Sequence, residues 1–180
     1  MAQVLSSAAT TGDTWQPLEV AAAYDDCFDA LFAVAYRVAF KMLGQREDAE
    51  DIAESVLEKA WPRWDTIVDY APAWVGRASI NATTSLCRRR TRFERLPLVA
   101  TPASTTSNEQ QNGAIRAELV RALLRLSRRQ REVIGLRYFL DLTLVDIGAV
   151  LGCTEGSVKS RVSRALDALR NDPRLIGMEW

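Results

Sequence analysis

Residues 151–169 read LGCTEGSVKSRVSRALDAL, a tight turn followed by a helix with one apolar face. Val158, Val162, Ala165, Leu166 and Leu169 recur every three or four positions and form a stripe that must pack inward. At about 100° per residue, the opposite side carries Gly156, Ser160, Ser163, Arg164 and Asp167, with Ser157, Lys159 and Arg161 on the flanks. That outer face is small and polar, edged with cations. Just upstream, Thr143 and Asp146 have the spacing of a capping box, and Ile147, Val150 and Leu151 form a second apolar face that Gly152 closes. Thr154 or Glu155 then begins the last helix. Two helices joined by the short GCTE turn make a helix-turn-helix. A major groove admits such a helix, short side chains let it approach, and Arg can grip a guanine edge bidentately. Flanking Lys and Arg suit phosphates. The plain alternative is an amphipathic surface helix of a bundle.

Two further helices precede this pair. Ile115, Leu119, Leu123 and Leu126 mark one; Ser127 with Gln130 caps the next, which carries Val133, Ile134 and Leu140. Before them, LPLVATPASTTSNEQQNG (96–113) is poor in large apolar residues, lacks periodicity and reads as a flexible linker. The front of the chain reads as three helices. Phe28, Leu31, Phe32, Ala35, Val38, Ala39 and Met42 set the first, with Gly44 as its C-cap. Ala49, Ile52, Ala53, Val56 and Ala60 set the second, whose acidic first turn suits the helix dipole and which Pro62 stops or bends. The third opens after Pro72 and runs to about Arg90, with Trp74, Val75, Ala78, Ala82 and Leu86 along its apolar side. Its middle, INATTS, has weak helix propensity and needs packing or a ligand to hold it. Strand signals are nearly absent. The fold class is all-α: two small helical domains, 18–95 and 114–172, joined by the linker 96–113, with an N-terminal extension (1–17) and a tail (173–180).

Composition narrows the function. No apolar run approaches the roughly 18 residues of a membrane span, so no membrane insertion is expected. The first 17 residues have neither the basic start nor the apolar core of a signal peptide. Cys27, Cys87 and Cys153 are scattered and odd in number, giving neither a metal motif nor a disulfide framework; a cytoplasmic protein with cysteines as core filler fits. Histidine is absent, which removes the commonest general base and transition-metal ligand. No phosphate-binding or nucleophile motif stands in its place. No catalytic residue, metal or cofactor is implied. The net charge of zero conceals a division: residues 1–70 hold 5 Lys+Arg and 13 Asp+Glu, residues 71–180 hold 18 and 10, balances of −8 and +8. A polyanion suits the basic back half, and a protein with a basic surface suits the acidic front.

A second basic signal, CRRRTRFER (87–95), holds five arginines against one glutamate. Alone it reads as a solvated face. Trp61, Trp64, Tyr70 and Trp74 lie upstream of it, and aromatics beside arginines can hold unstacked bases. For Trp74, at helical spacing, core packing is the simpler reading.

Together DAEDIAESVLEKAW, AWVGRASINATTSLCRRR, a polar linker and LSRRQREVIGLRYFLDLTLVDIGAVLGCTEGSVKSRVSRAL resemble an extracytoplasmic-function sigma factor of bacterial RNA polymerase, over about residues 25–170. The resemblance implies a non-enzymatic factor that directs promoter recognition, promoter melting and transcription initiation. It implies that Asp48, Glu50, Asp51, Glu54 and Glu58 dock on the clamp helices of the polymerase β′ subunit, with the β flap a further polymerase contact. It assigns the loop Asp65–Ala71 and the next helix to the start-proximal promoter element, with Trp64, Tyr70, Arg77, Asn81, Arg88, Arg89 and Arg90 as DNA-binding and melting residues. Ser157, Lys159, Ser160, Arg161, Ser163 and Arg164 fall to the upstream element. An anti-sigma partner is left open. Pro62 and the weakly basic INATTSLC depart from the usual pattern. The alternative is a helix-turn-helix regulator of response-regulator output type; residues 18–90 lack the alternating strands that a receiver domain needs.

Overall fold

The computed structural model describes residues 23–93, 107–173 and 175. The expected extension 1–17, most of the linker 96–113 and the end of the tail lie outside them. Eight α-helices order the described residues: α1 Tyr24–Leu43, α2 Arg46–Ala60, α3 Trp64–Ile67, α4 Ala71–Phe93, α5 Ser107–Arg125, α6 Arg128–Phe139, α7 Leu144–Leu151 and α8 Glu155–Arg170. Single 3-10 turns, Trp61–Arg63 and Val68–Tyr70, flank α3. No strand occurs among the described residues.

In the first module α1, α2 and α4 enclose a core of Leu31, Ala35, Ala53, Val56, Leu57, Ile67, Ala71 and Val75. Tyr24 reaches across to donate its hydroxyl to the Leu57 carbonyl at 2.8 Å. Gly44 ends α1 in the left-handed conformation at φ 71°, its N–H on the Phe40 carbonyl at 2.8 Å, as the sequence predicts. Phe28, expected on the core face, instead stays 40% exposed near the helix start. It begins a ladder of near-parallel rings, Phe28, Phe32, Tyr36 and Phe40, with centroids 5.6–6.4 Å apart. Pro62 stands in the 3-10 turn that follows α2. The expected loop Asp65–Ala71 is a chain of short helical turns leading directly into α4.

In and beside the weak INATTS segment, two hydroxyls bond back to the helix, while the buried Thr83 hydroxyl has no hydrogen-bond partner. Ser79 and Thr84 are buried, and each donates to the carbonyl four residues back, at 2.8 and 2.6 Å. These two residues satisfy their polarity within the helix.

In the second module both capping boxes are present. Ser127 accepts from the Gln130 N–H at 3.3 Å, and Thr143 from the Asp146 N–H at 3.2 Å, each with the reciprocal bond. Val133, Leu136, Leu142, Ile147 and Val158 form the core beneath α6, α7 and α8. Buried Arg131 donates to the carbonyls of Leu123 and Leu126, closing the end of α5. Helix α5 begins at Ser107, eight residues before Ile115, so the last part of the expected linker is helical. Glu109, Gln110 and Gln111 are adequate helix formers, and extending an existing helix adds one hydrogen bond per ordered residue.

The two modules share a seam. Ala73 of α4 is buried in the same core as Val133 and Leu136 of α6. Gly76 and Gly135 permit the approach: a Cβ on Gly76 would strike the Leu140 side chain, and one on Gly135 the Ile80 side chain. Val120 of α5 joins Met42, Leu43 and Cys87.

Two glycines of the helix-turn-helix, both with open space at the Cβ position, differ in backbone conformation. Gly152 sits at φ 62° between α7 and α8, whereas Gly156 is helical with open space around its Cβ position. Gly152→Ala is expected to destabilise by about 1–2 kcal/mol. Gly156→Ala is expected to be neutral or to stabilise by up to about 1 kcal/mol. Urea titration of both variants checks the contrast; equal effects would remove the conformational explanation.

Candidate nucleic-acid interface

Helix α8 presents the face that its sequence describes. Val158 and Ala165 are fully buried, while Lys159, Ser163 and Arg164 are exposed and Ser160 is partly so. Thr154 is the N-cap: its hydroxyl accepts from the Ser157 N–H at 3.3 Å and lies 3.0 Å from the Ser157 hydroxyl. That pairing draws the Ser157 side chain toward the cap. Arg161 folds back toward the turn, its guanidinium 3.2 Å from the Cys153 sulfur. Lys159, Ser160, Ser163 and Arg164 therefore form the outward part of the expected set. Gly148 makes the turn possible, because a Cβ there would collide with the Cys153 carbonyl, 2.7 Å away.

The expected start-proximal residues are dispersed and mostly engaged. Trp64 packs edge-on against Tyr24, centroids 5.2 Å apart, and leans on the first core. Tyr70 is exposed. About 27 Å of helix separates Tyr70 from Arg88 at 1.5 Å per residue, so the aromatic and arginine groups form no single pocket. Arg88 donates to the Leu124 carbonyl of α5 at 3.2 Å. Arg89 is exposed. Arg90 makes two 2.6 Å hydrogen bonds to Asp48. The last pair binds α4 to α2 and joins Asp48, expected at the polymerase, to Arg90, expected at DNA.

Arg77 and Asn81 meet an unforeseen group. Glu132 of α6 is buried, with its side chain 4% exposed. It accepts from Asn81 Nδ2 at 2.9 Å and from Arg128 Nε at 3.0 Å, and pairs with Arg77 Nε at 3.2 Å. Burial pushes the carboxyl upward, but the hydrogen bonds from Asn81 and Arg77, the Arg77 charge and the Arg128 bond outweigh it and hold the pKa below its ordinary value. Nothing in the local sequence distinguishes Glu132 from an exposed capping-turn glutamate.

On α2, Asp51, Glu54 and Glu58 are exposed, and Glu50 pairs with Arg46 at 2.8 Å. Glu47, in the acidic first turn of α2, is exposed as well; its spacing of four to Asp51 puts it on the same face. Asp48 is the member that turns inward, to Arg90.

A helix-turn-helix whose second helix turns a polar, cationic face outward is the build of a DNA-binding factor. Residues 27–93 match the family described as Sigma-70 region 2, and residues 122–171 match Sigma-70, region 4. The RNA polymerase sigma-E factor of Streptomyces coelicolor is 33% identical over 76% of this chain and 77% of its own length. The ECF RNA polymerase sigma factor SigL of Mycobacterium tuberculosis is 32% identical over 79% and 84%. Among solved structures, the sigma factor RpoE of Bartonella quintana, co-crystallised with the anti-sigma factor NepR, aligns with TM-score 0.51 and 27% identity over 82% of this chain and 94% of that one. The chain belongs to the extracytoplasmic-function sigma factors of bacterial RNA polymerase. Among the described residues no helix is long and apolar enough to cross a membrane.

The depressed carboxyl of Glu132 has a definite pH signature. Its contribution to stability is present above the ordinary value of 4.5 and is lost as pH falls through the lower folded value. Urea stability measured from pH 6 to pH 3 should therefore fall more steeply for the wild type than for Glu132→Gln. Parallel curves would show that the carboxylate gains nothing from its partners.

Proposed function

We propose that the chain is a non-enzymatic, cytoplasmic initiation factor that docks on core RNA polymerase through α2 and reads promoter DNA through two separate faces. The observation that carries this reading is the outward face of α8, where Lys159, Ser160, Ser163 and Arg164 stand clear of a buried Val158–Ala165 stripe. That face suits the major groove of the upstream promoter element. Tyr70, Arg77, Asn81, Arg88 and Arg89 on and beside α4 are assigned to the start-proximal element, where exposed aromatics and cations suit unstacked single strands. The acidic edge Glu47, Asp51, Glu54 and Glu58 is assigned to a basic surface of the polymerase, on the β′ clamp helices, with the β flap as a second polymerase contact. The co-crystal of a similar sigma factor with an anti-sigma factor supports such a protein as a further partner.

Reconstitution with core polymerase tests the reading: the holoenzyme, and not core alone, should initiate at discrete sites on genomic DNA. Reversing charge at Asp51 and Glu54 to Lys should weaken core binding in a pull-down without lowering the melting temperature, because exposed charges contribute little to stability. A double variant that binds core normally would move the docking surface elsewhere.

The two cations of α8 should fail differently. Arg164→Ala is expected to cost about 1–3 kcal/mol at the cognate site and to relax preference at one base position. Lys159→Ala should weaken binding to all sequences alike and reduce the salt dependence by roughly one counterion. Holoenzyme binding to single-base promoter variants at several salt concentrations separates them. If Arg164→Ala loses affinity uniformly, the helix lies in the groove with another rotation.

A further inference from the structure

Helix α1 turns one side away from the cores, and its charges are sorted along its length. Asp25, Asp26 and Asp29 are exposed in its first half, Arg37 and Lys41 in its second. Among the described residues no salt bridge joins any of the five to another side chain. Exposed Ala33 stands at the centre of the pattern. Asp29 lies four residues before it and Arg37 four after; Asp25 lies eight before and Lys41 eight after. Ala30 and Tyr36 stand three residues to either side, Asp26 and Phe40 seven. At about 100° per residue, Asp26, Asp29, Ala33, Tyr36, Arg37 and Phe40 all fall within about 60° of the direction opposite buried Leu31. Lys41 lies on the flank, its Nζ 5.8 Å from the centre of the Phe139 ring. The Phe40 ring is 37% exposed, and the Arg116 guanidinium of α5 lies over it, 6.0 Å from its centre.

We propose that this side of α1 is a self-complementary surface on which a second copy of the chain docks, the two helices antiparallel and the two Ala33 residues on the two-fold axis. In such a pair each residue before Ala33 faces the residue equally far after it in the other copy, and symmetry makes every contact twice. Asp29 meets Arg37 of the second copy, and Asp25 meets Lys41. Asp26 meets the Phe40 ring with Arg116 over it, so each of the three carboxylates finds a cation. Tyr36 falls opposite the small Ala30, and the two Ala33 methyl groups let the helices approach at the axis. A parallel pairing would set Asp against Asp and Lys against Lys, so charge selects the antiparallel one. None of the α2 carboxylates assigned to the polymerase takes part. From Asp25 to Lys41 the helix spans about 24 Å at 1.5 Å per residue, a contact in the small and weak class of interfaces. The dimer therefore forms at concentrations on the order of tens of micromolar and dissociates as salt screens its ion pairs.

Charge reversal tests the pairing. Asp29→Arg and Arg37→Asp alter exposed side chains, so both should keep the wild-type circular dichroism and melting temperature. Sedimentation velocity of the full chain at low salt, from about 10 to about 500 micromolar, reports association. The wild type should pass from monomer to dimer over that range, and about 0.5 M NaCl should return it to monomer. Each reversal alone should weaken the dimer at least about tenfold, because two-fold symmetry brings like charges together twice. An equimolar mixture of the two variants should restore it, since each reversed side chain then faces an unlike charge in the other variant. No pairing within one chain can mimic that rescue, because positions 29 and 37 stand about 12 Å apart along the helix. Ala33→Glu sets two carboxylates together at the axis while keeping a good helix former; it should abolish the dimer and keeps the test intact if a reversal folds poorly. A wild type that stays monomeric throughout overturns the proposal, as does a mixture that fails to associate or an Ala33→Glu chain that dimerises like the wild type. If the wild type is monomeric and Ala33→Glu weakens the pull-down of core polymerase, the face belongs to the polymerase and not to a second copy.

Discussion

Helix α4 is packed on two sides. Val75 and Ala71 close the core of the first module with α1 and α2, while Ala73 enters the core of the second beneath α6. A helix buried on both sides usually reads as apolar all round, yet α4 contains Ser79, Asn81, Thr83, Thr84 and Ser85 in succession around Ala82. The conflict is settled locally except at Thr83, whose buried hydroxyl has no hydrogen-bond partner. Hydroxyls of Ser79, Thr84 and Ser85 and the amide of Asn81 bond to carbonyls four residues back. Gly76 and Gly135 then allow α6 to approach closely. The same choice makes α4 weak as an isolated helix, so its order depends on both neighbours.

This double packing divides the basic residues of the back half into two populations. On α8 the cations Lys159 and Arg164 face outward, whereas Arg161 is drawn back to the turn. On α4 the cations are engaged: Arg77 with Glu132, Arg88 with a carbonyl of α5, Arg90 with Asp48. Among the described cations of α4, Arg89 is exposed. The described cations of α8 and of α4 therefore differ in availability within one structure. An acidic edge on α2 completes the surface, with Arg90 and Asp48 binding α2 to α4 beneath it.

The sequence by itself determined the elements and their ends. Gly44 and Gly152 had to be C-caps because their positions call for positive φ, and the Ser127–Gln130 and Thr143–Asp146 pairs had to start helices because each satisfies two otherwise orphaned N–H groups. The buried stripe of α8, and hence its outward Lys159, Ser163 and Arg164, followed from a period of 3.6. These are local rules, acting over one or two turns. Tertiary structure alone decided which charges remain free. Glu132 lies 51 residues from Asn81, and Asp48 lies 42 from Arg90. No periodicity connects such positions, because their meeting depends on how two helices cross rather than on how either one turns. The start of α5 at Ser107 and the exposed rings of Phe28 and Phe40 escaped for a related reason. Propensity and hydrophobicity say what a residue tolerates, while the neighbouring helix decides what covers it.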